Sequence, residues 1–231
     1  MTAEAVRKAG SEGEGRGRTR RVRWVAGGVV VLALLLAGVA AVASARGEEE
    51  PRVPGADSAD AGFARDMAVH HQQAVEMSFI VRDRTDDEDV RRLAYDIANT
   101  QANQRGMLLG WLDLWELPKV APGGAGPMAW MGSGDSHGDH AVGSGVGLMP
   151  GMATEDELKR LGRLNGEQAE VFFLQLMTDH HTGGVSMAEA CVSLCAVPVE
   201  KRLAKGMVEG QQSELGLMRD MLAARGATPR T

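Results

Sequence analysis

The sequence predicts an all-α protein, an antiparallel four-helix bundle that is made of two repeated helical hairpins and preceded by an N-terminal transmembrane helix. Three observations lead to this prediction. Hydrophobic residues make up 44% of the chain and aromatic residues only 4%, so its apolar character comes from Ala, Val, Leu and Met, a composition that favours helices. Apolar residues recur at helical spacing in two long segments. These two segments also repeat each other at one constant offset.

The first element is the uncharged stretch of residues 24–45, whose 22 residues are enough to cross a bilayer as a helix. A basic tail of residues 1–23 precedes it. The positive-inside rule therefore places the N-terminus in the cytoplasm and the rest of the chain outside, as in a single-pass protein of the cell membrane. Residues 43–45 (Ala-Ser-Ala) resemble a signal-peptidase site, and cleavage there would make the protein secreted. A retained anchor is favoured.

The balance of charge changes after this segment. Residues 1–45 carry seven Lys+Arg against three Glu, and the remainder carries 18 Lys+Arg against 28 Asp+Glu. The exterior part is thus acidic, which argues against nucleic acid as a partner.

A repeat begins after a linker of residues 46–56. Residues 63–77 recur 110 positions later without a gap, and residues 92–101 (RLAYDIANTQ) align in the same frame with residues 202–211 (RLAKGMVEGQ). Phe63, Met67, His70, His71 and Met77 align with Phe173, Met177, His180, His181 and Met187. We interpret this as a tandem duplication in which each copy forms a pair of helices.

Copy one predicts a helical hairpin over residues 57–117. Its first helix is expected over residues 57–84, and its second is expected to continue to about Trp115, before Pro118. The sequence TDDE at residues 85–88 predicts a capping box with Thr85 as the N-cap of the second helix.

Copy two predicts a second hairpin over residues 154–226. The sequence TEDE at residues 154–157 predicts another capping box, which opens a short helix. A long helix should follow to about Cys195, and Pro198 should begin the last helix, which ends near Gly226. Since one hairpin cannot bury its apolar stripe alone, the two hairpins are expected to pack together as a bundle.

Histidines and methionines share the predicted core-facing stripe of the first long helix in each copy, with His71 and His181 at its edge. Methionines alone are ordinary core filler, whereas a buried imidazole needs hydrogen-bond partners. Polar residues on the partner helices could satisfy the imidazoles or orient them for a metal: Gln101, Gln104, Gln211 and Glu214. The candidate metal ligands are His70, His71, His180, His181, Met67, Met77, Met177 and Met187.

Thioether and imidazole groups suit Cu(I) best, and Zn(II) less well. A ferritin-type di-iron site would need carboxylates on several helices. The carboxylates do not repeat between the copies, since Asp66 aligns with Leu176 and Glu76 with Ser186. A di-iron centre is therefore disfavoured.

Residues 118–153 form a Gly-rich loop between the copies, in which Gly and Ser predict flexibility. The loop adds six candidate ligands: Met128, Met131, His137, His140, Met149 and Met152. Two interpretations stay open. Met128, Trp130 and Met149 could dock on the bundle as a hydrophobic latch, or the loop could be a mobile copper-capture arm.

Cys191 and Cys195 are the only cysteines, four residues apart on one predicted helical face. This spacing is poor for a disulfide within a helix. Buried thiols, soft-metal ligands and an occasional strained bridge all stay open, and the function is not built on these residues.

The motifs resemble those of domain-of-unknown-function family 305, a ferritin-like family of bacterial exported proteins. The resemblance rests on Met67, His70, His71, Val75, Met77, Gln101 and Gln104, and on Phe173, Leu174, Met177, His180, His181, Gly183, Gly184, Val185, Met187, Gln211 and Glu214. The MAWM and MPGM segments resemble the mid-chain region of two-copy actinobacterial members. The resemblance covers residues 57–226 and implies a ferritin-like bundle outside the cytoplasmic membrane. Some relatives are associated with copper binding and resistance.

The leading hypothesis is an extracytoplasmic, membrane-anchored protein that buffers or passes on Cu(I), with the copper ion and the cytoplasmic membrane as its partners. The alternative is a non-catalytic structural or interaction module of the cell envelope, in which glutamines satisfy the core histidines and the acidic exterior meets another envelope protein. An enzyme is the least favoured class, because no nucleophile, acid–base pair or cofactor fingerprint repeats beside the histidines.

Overall fold

The computed structural model describes residues 53–124, 126–132 and 147–230. This part of the chain contains five α-helices and no strand, which confirms the all-α class for the described residues. The helices are α1 (Ala59–Arg82), α2 (Glu88–Leu114), α3 (Glu155–Leu161), α4 (Gly166–Leu194) and α5 (Pro198–Ala224). Two 3-10 turns, Pro122–Gly124 and Ala129–Met131, follow α2.

The predicted transmembrane segment, residues 24–45, lies outside the described residues. Among the helices of the described part, none combines the length and the apolar character that a membrane crossing requires.

Side-chain caps explain where two helices begin. Ser58 accepts a hydrogen bond from the Ala61 amide at 3.2 Å and starts α1. Thr154 and Glu157 form both bonds of the capping box that was predicted for the short helix α3. The last helix begins at Pro198, as predicted, since proline is tolerated in the first turn.

The capping box predicted at Thr85 is wrong. Asp87 is the N-cap of α2, and its carboxylate accepts from the Val90 amide at 2.9 Å. Thr85 is instead buried and donates its hydroxyl to Glu170 on α4 at 2.5 Å. Thr85 does not cap α2 because its hydroxyl bonds to another helix. Asp87, two positions later, is an equally good capping residue.

The four long helices form two hairpins, α1 with α2 and α4 with α5, and α1 also packs against α4. All four contribute to two apolar clusters. The first core cluster is formed mainly by Met77, Val81, Leu93, Ile97, Phe173, Met177, Met218 and Leu222. The second core cluster is formed mainly by Phe63, Met67, Leu108, Leu112, Met187, Cys191, Ala204 and Met207.

Polar residues separate the two clusters on every long helix. On α1, for example, the second core cluster ends at Ala68 and the first begins at Ala74, with the histidine pair between them. We call these residues the polar layer: His70, His71, Gln101, Gln104, His180, His181, Gln211 and Glu214. The layer crosses the core about halfway along the helices.

The ends of the central loop dock on α1. Asp66 accepts hydrogen bonds from the Met128 amide at 2.7 Å and from the Trp130 indole at 2.9 Å. A side chain at Gly62 would lie 2.4 Å from Trp130, so glycine is needed there for the close approach. Met149 is buried in the second core cluster. His137 and His140 lie outside the described residues.

The segment of residues 149–153 is held to α1 by one side chain. The Gln73 amide donates to the Ala153 carbonyl at 2.8 Å and accepts from the Ala153 N–H at 2.7 Å. Both bonds are buried. The Gln73 side chain thus satisfies the backbone N–H and the carbonyl of Ala153, which water does not reach.

The two cysteines form a disulfide. Of the three states left open, the bridge is therefore the one observed. Helix α4 ends at Leu194, and Cys195 follows in an extended conformation (φ −63°, ψ 149°). The prediction that the spacing is poor for a bridge assumed that both residues belong to one helix, and the end of α4 removes that restriction.

Two buried carboxyl groups lie close to the disulfide. Asp60 on α1 accepts from the amides of Ala196 and Val197 at 2.9 and 2.7 Å. Glu200 on α5 is fully buried and, as a carboxylate, has no hydrogen-bond partner. Burial, together with the nearby Asp60, raises the pKa of Glu200 to about 9. Glu200 is thus neutral at pH 7, and its carboxyl O–H can donate a hydrogen bond to Asp60.

We predict that Gln73→Ala releases the segment of residues 149–153 from α1. The variant leaves the Ala153 amide and carbonyl without partners, at a cost of about 1–3 kcal/mol in the free energy of unfolding. Amide hydrogen exchange at residues 149–153 and chemical denaturation measure the two effects. Gln72→Ala is the matched control, because the neighbouring Gln72 is exposed. Equal exchange rates in both variants would show that the Gln73 bonds do not hold the segment.

Candidate metal centre

Four fully buried histidines form the centre of the polar layer. His70 and His71 come from α1, and His180 and His181 come from α4. The rings of His70 and His180 are in contact across the two helices, with centroids 3.8 Å apart and planes inclined by 32°. The predicted stripe thus brings the two halves of the chain together at their histidines.

The outer histidine of each pair bonds to the second helix of its own hairpin. His71 Nε2 lies 2.8 Å from Gln104 Oε1 on α2, and His181 Nε2 lies 2.7 Å from Glu214 Oε2 on α5. Both partners follow their histidine by 33 residues. These are two of the polar side chains that the sequence placed opposite the histidines.

The inner histidines bond to backbone carbonyls. His70 Nε2 lies 3.0 Å from the Pro150 oxygen, and His180 Nε2 lies 3.0 Å from the backbone oxygen of His70. The two inner histidines therefore have different acceptors. The acceptor of His70 comes from the segment of residues 149–153, and that of His180 comes from α1.

Two consecutive glycines of α4 make room for these contacts. A side chain at Gly183 would lie 2.0 Å from the Pro150 oxygen, and one at Gly184 would lie 2.5 Å from Gln211 Oε1. Gly183 aligns with Gln73 in the repeat. The segment of residues 149–153 is therefore hydrogen-bonded to Gln73 on α1, and the absence of a side chain at Gly183 leaves space for it beside α4.

The hydrogen bonds fix the tautomer of the imidazoles. All four Nε2 atoms face oxygen acceptors, so each Nε2 carries the proton and donates it. The four Nδ1 atoms are buried and have no hydrogen-bond partner within the described residues. A bare buried acceptor is costly unless it has a ligand, and a metal-binding histidine has this arrangement of one nitrogen oriented by an oxygen and the other free.

Burial also keeps three of these imidazoles neutral. It lowers the pKa of His70 to about 4, that of His71 to about 3, and that of His180 well below the ordinary 6.5. A neutral imidazole is the form that binds a metal, so no proton would have to be displaced at pH 7.

The four predicted helical methionines are fully buried on either side of the histidines. Met67 and Met187 belong to the second core cluster, and Met77 and Met177 belong to the first. Of these four methionines, each cluster therefore holds one from each half. The loop methionines lie at the edge of the second core cluster (Met128 and Met152), inside it (Met149) or outside it (Met131).

The four imidazoles do not converge on one point. Within the described residues, only Cys191, Cys195 and Glu200 form a group of three or more His, Cys, Asp or Glu side chains whose ligand atoms all lie within 4.8 Å of one another. A metal at the histidines would therefore be bound by one or two imidazoles, and other donors would complete its coordination.

Sequence reasoning missed the residues that bring the loop to the layer. The bonds from Gln73 to Ala153 and from His70 to Pro150 each join residues 80 positions apart, and neither leaves a local pattern. The pair Gly183-Gly184 was a usable signal. Two glycines inside a helix cost about 2 kcal/mol relative to alanine, so their presence indicates a close approach by another part of the chain.

We predict that the metal-free protein loses stability as the pH falls from 6.5 towards 4. The unfolded chain takes up protons on its histidines near pH 6.5, whereas folded His70, His71 and His180 stay neutral, so the folded state is fully favoured only above that pH. The loss is roughly 3 kcal/mol for His70 alone. Denaturation of chelator-treated protein between pH 7 and 4.5 measures it.

Glu200 contributes with the opposite sign over part of this range. Its pKa is raised, so its stabilising contribution is complete below 4.5 and is lost as the pH rises towards 9. Glu200→Gln removes that contribution and serves as the control. His71→Gln should reduce the dependence between pH 6.5 and 4.5, and an unchanged dependence in that variant would contradict the prediction.

Comparison with known proteins identifies the family. The model of the family described as "Domain of unknown function (DUF305)" matches residues 60–222 in a single match that spans both hairpins. No curated protein matches the chain. A DUF305 protein from Streptomyces coelicolor is 66% identical, with 77% of this chain and 99% of that chain covered and a TM-score of 0.69. A DUF305 fragment from Deinococcus radiodurans is 31% identical, with 72% and 96% covered and a TM-score of 0.57.

CopM in its Cu(I)-bound form is similar in fold. It is 19% identical, with 71% of this chain and 96% of that chain covered and a TM-score of 0.54, and CopM is also known in Cu(II)-bound and Ag-bound forms. At this identity the likeness establishes the fold alone. The family match and the Streptomyces relative, however, cover most of the chain, and this protein therefore belongs to the DUF305 family.

Proposed function

We propose that this chain is an extracytoplasmic copper protein that binds Cu(I) at the polar layer and buffers it or passes it on. The observation that carries the proposal is the set of four buried Nδ1 atoms without partners. Each belongs to an imidazole whose other nitrogen is already oriented by an oxygen. Such nitrogens are ready to bind a metal without further rearrangement of the ring.

The available donors favour a soft ion. The polar layer offers neutral imidazoles, and methionine sulfurs lie buried in the core clusters on both sides of it. Thioether with imidazole is a donor set that Cu(I) accepts and that Mg(II) or Ca(II) does not. Because the four imidazoles do not converge, we infer that an ion is held by one or two imidazoles together with sulfur.

The family comparison supports the proposal at the level of fold. CopM has a similar helical architecture and binds Cu(I), Cu(II) and Ag. Cu(I) and Ag(I) share a preference for sulfur and nitrogen donors, which is the chemistry that the polar layer and its flanking methionines offer. We infer further that the two hairpins form a ferritin-like four-helix bundle, and that residues 24–45 hold it outside the cytoplasmic membrane.

The histidines are tested by a Cu(I) titration of the full-length chain against a chromophoric chelator, without oxygen, and with Zn(II) and Fe(II) as comparison ions. We expect copper-selective binding that His70→Gln/His180→Gln weakens by at least about tenfold, because this double variant removes both rings that meet between α1 and α4. Circular dichroism checks that the helix content is retained.

The matched control for the histidines is His137→Gln/His140→Gln in the central loop, which we expect to change the affinity far less. Unchanged Cu(I) affinity in the His70/His180 variant would contradict the proposal. A larger loss in the loop variant than in the His70/His180 variant would place the main site in the loop rather than in the polar layer.

The sulfur donors give a separate prediction. Met67→Leu/Met187→Leu should lower the Cu(I) affinity, since leucine keeps the volume and the apolar character of methionine but has no sulfur. Zn(II) binding should change less, because zinc prefers nitrogen and thiolate to thioether. Met107→Leu is the control, as Met107 on α2 is exposed. If both variants bind Cu(I) like the parent protein, the helical methionines only fill the core.

The second candidate is a structural or interaction module of the cell envelope. It is favoured by one observation, that all four Nε2 atoms already have partners within the protein. Thermal melting separates the two functions, because a ligand that binds only the folded state raises its melting temperature. An unchanged melting temperature in excess Cu(I) would favour the interaction module.

A further inference from the structure

A second group of potential metal ligands lies at the junction of α4 and α5. Cys191 is in the last turn of α4, Cys195 directly follows that helix, and Glu200 is in the first turn of α5. Their ligand atoms lie within 4.8 Å of one another, and all three side chains are buried. Cys191 follows His180 by 11 residues, or about 16 Å along the helix, so this group is separate from the polar layer.

Glu200 is the unexplained member of the group. The neutral carboxyl group can donate one hydrogen bond to Asp60, but as a carboxylate both of its oxygens are buried without a donor, and the residue is fully inaccessible to solvent. The nearest acidic group, Asp60, already accepts two backbone amides. A second buried carboxyl beside Asp60 adds repulsion if it ionises and contributes no apolar contact, so packing does not account for it.

We propose that Cys191, Cys195 and Glu200 form a zinc site that exists only when the disulfide is reduced. Thiolate and carboxylate are both donors that Zn(II) accepts, and three protein ligands leave the fourth position of a tetrahedral ion to a water molecule. A hard oxygen beside two sulfurs favours Zn(II) over Cu(I), which prefers sulfur and nitrogen alone. In the oxidised protein the sulfurs bond to each other and the site is closed to metal.

The change of state balances in electrons and protons. A dithiol reductant gives two electrons and two protons to the Cys191–Cys195 bond, which breaks into two thiols while the reductant becomes a cyclic disulfide. Zn(II) then displaces the two thiol protons, and the proton of Glu200, to solvent. The ion replaces the covalent bridge between the end of α4 and Cys195 and adds a link to α5.

The test compares oxidised and reduced full-length protein. The chain is reduced with dithiothreitol, freed of reductant without oxygen, and titrated with Zn(II) against a chromophoric chelator. We expect one more Zn(II) per chain in the reduced form. That additional ion should be absent from Cys191→Ser/Cys195→Ser, in which the histidines are intact. Co(II) in place of Zn(II) should give the charge-transfer absorption of a metal thiolate.

Glu200→Gln tests the third ligand. We expect it to weaken binding of the additional ion by about 10–100-fold, while Glu189→Gln, an exposed glutamate on α4, leaves it unchanged. Circular dichroism of each form checks the helix content, and the comparison of the two redox states requires no variant. Equal zinc stoichiometry in the oxidised and reduced chains would overturn the proposal, and so would full affinity in Glu200→Gln. Neither result affects copper binding at the polar layer.

Discussion

The burial of four imidazoles halfway along the helices is the constraint on which the rest of the structure depends. Every long helix places polar residues at this level and apolar residues on both sides of it. Displacing α1 or α4 by one turn, about 5.4 Å, would bring an imidazole into an apolar cluster, and displacing α2 or α5 would bring a glutamine there. The layer therefore sets the register of all four helices, as buried polar groups do in other helical assemblies.

The same layer connects folding with the proposed binding. Without a metal, the folded protein buries four nitrogen lone pairs that water would solvate in the unfolded chain, so the layer costs stability. An ion that bonded to those nitrogens would offset this cost and would favour the folded state. The acceptors of the Nε2 protons are oxygens of the protein itself, and the rings are thus held in position whether or not an ion is bound.

Much of the fold could be predicted from the sequence because it depends on local periodicity. The core-facing arcs, the capping box at Thr154 and the start of the last helix at Pro198 all follow from residues within one or two turns. The partners of His71 and His181 could also be predicted, because aligning the two hairpins shows which residues occupy equivalent faces. The cap at Thr85 was missed because a buried glutamate on another helix competes for its hydroxyl.

The path of the central loop could not be predicted for the same reason. Its contacts with Gln73 and with His70 join residues that are distant in sequence, and its composition predicts only flexibility. The disulfide depended on where α4 ends, to within one residue, and helix ends are the least predictable feature of such a fold. Neither outcome follows from any single stretch of sequence.

The passage of one segment between Gln73 and Gly183 has a consequence for how the two halves can change. The two hairpins align in sequence, but one of them bonds the crossing segment and the other only leaves space for it. Two copies of the first hairpin would place glutamine at both aligned positions, with Ala153 as their one partner. Two copies of the second hairpin would place glycine at both, and no side chain would then bond Ala153. The two hairpins are therefore not interchangeable, and each can vary only in ways that suit its own side of the segment.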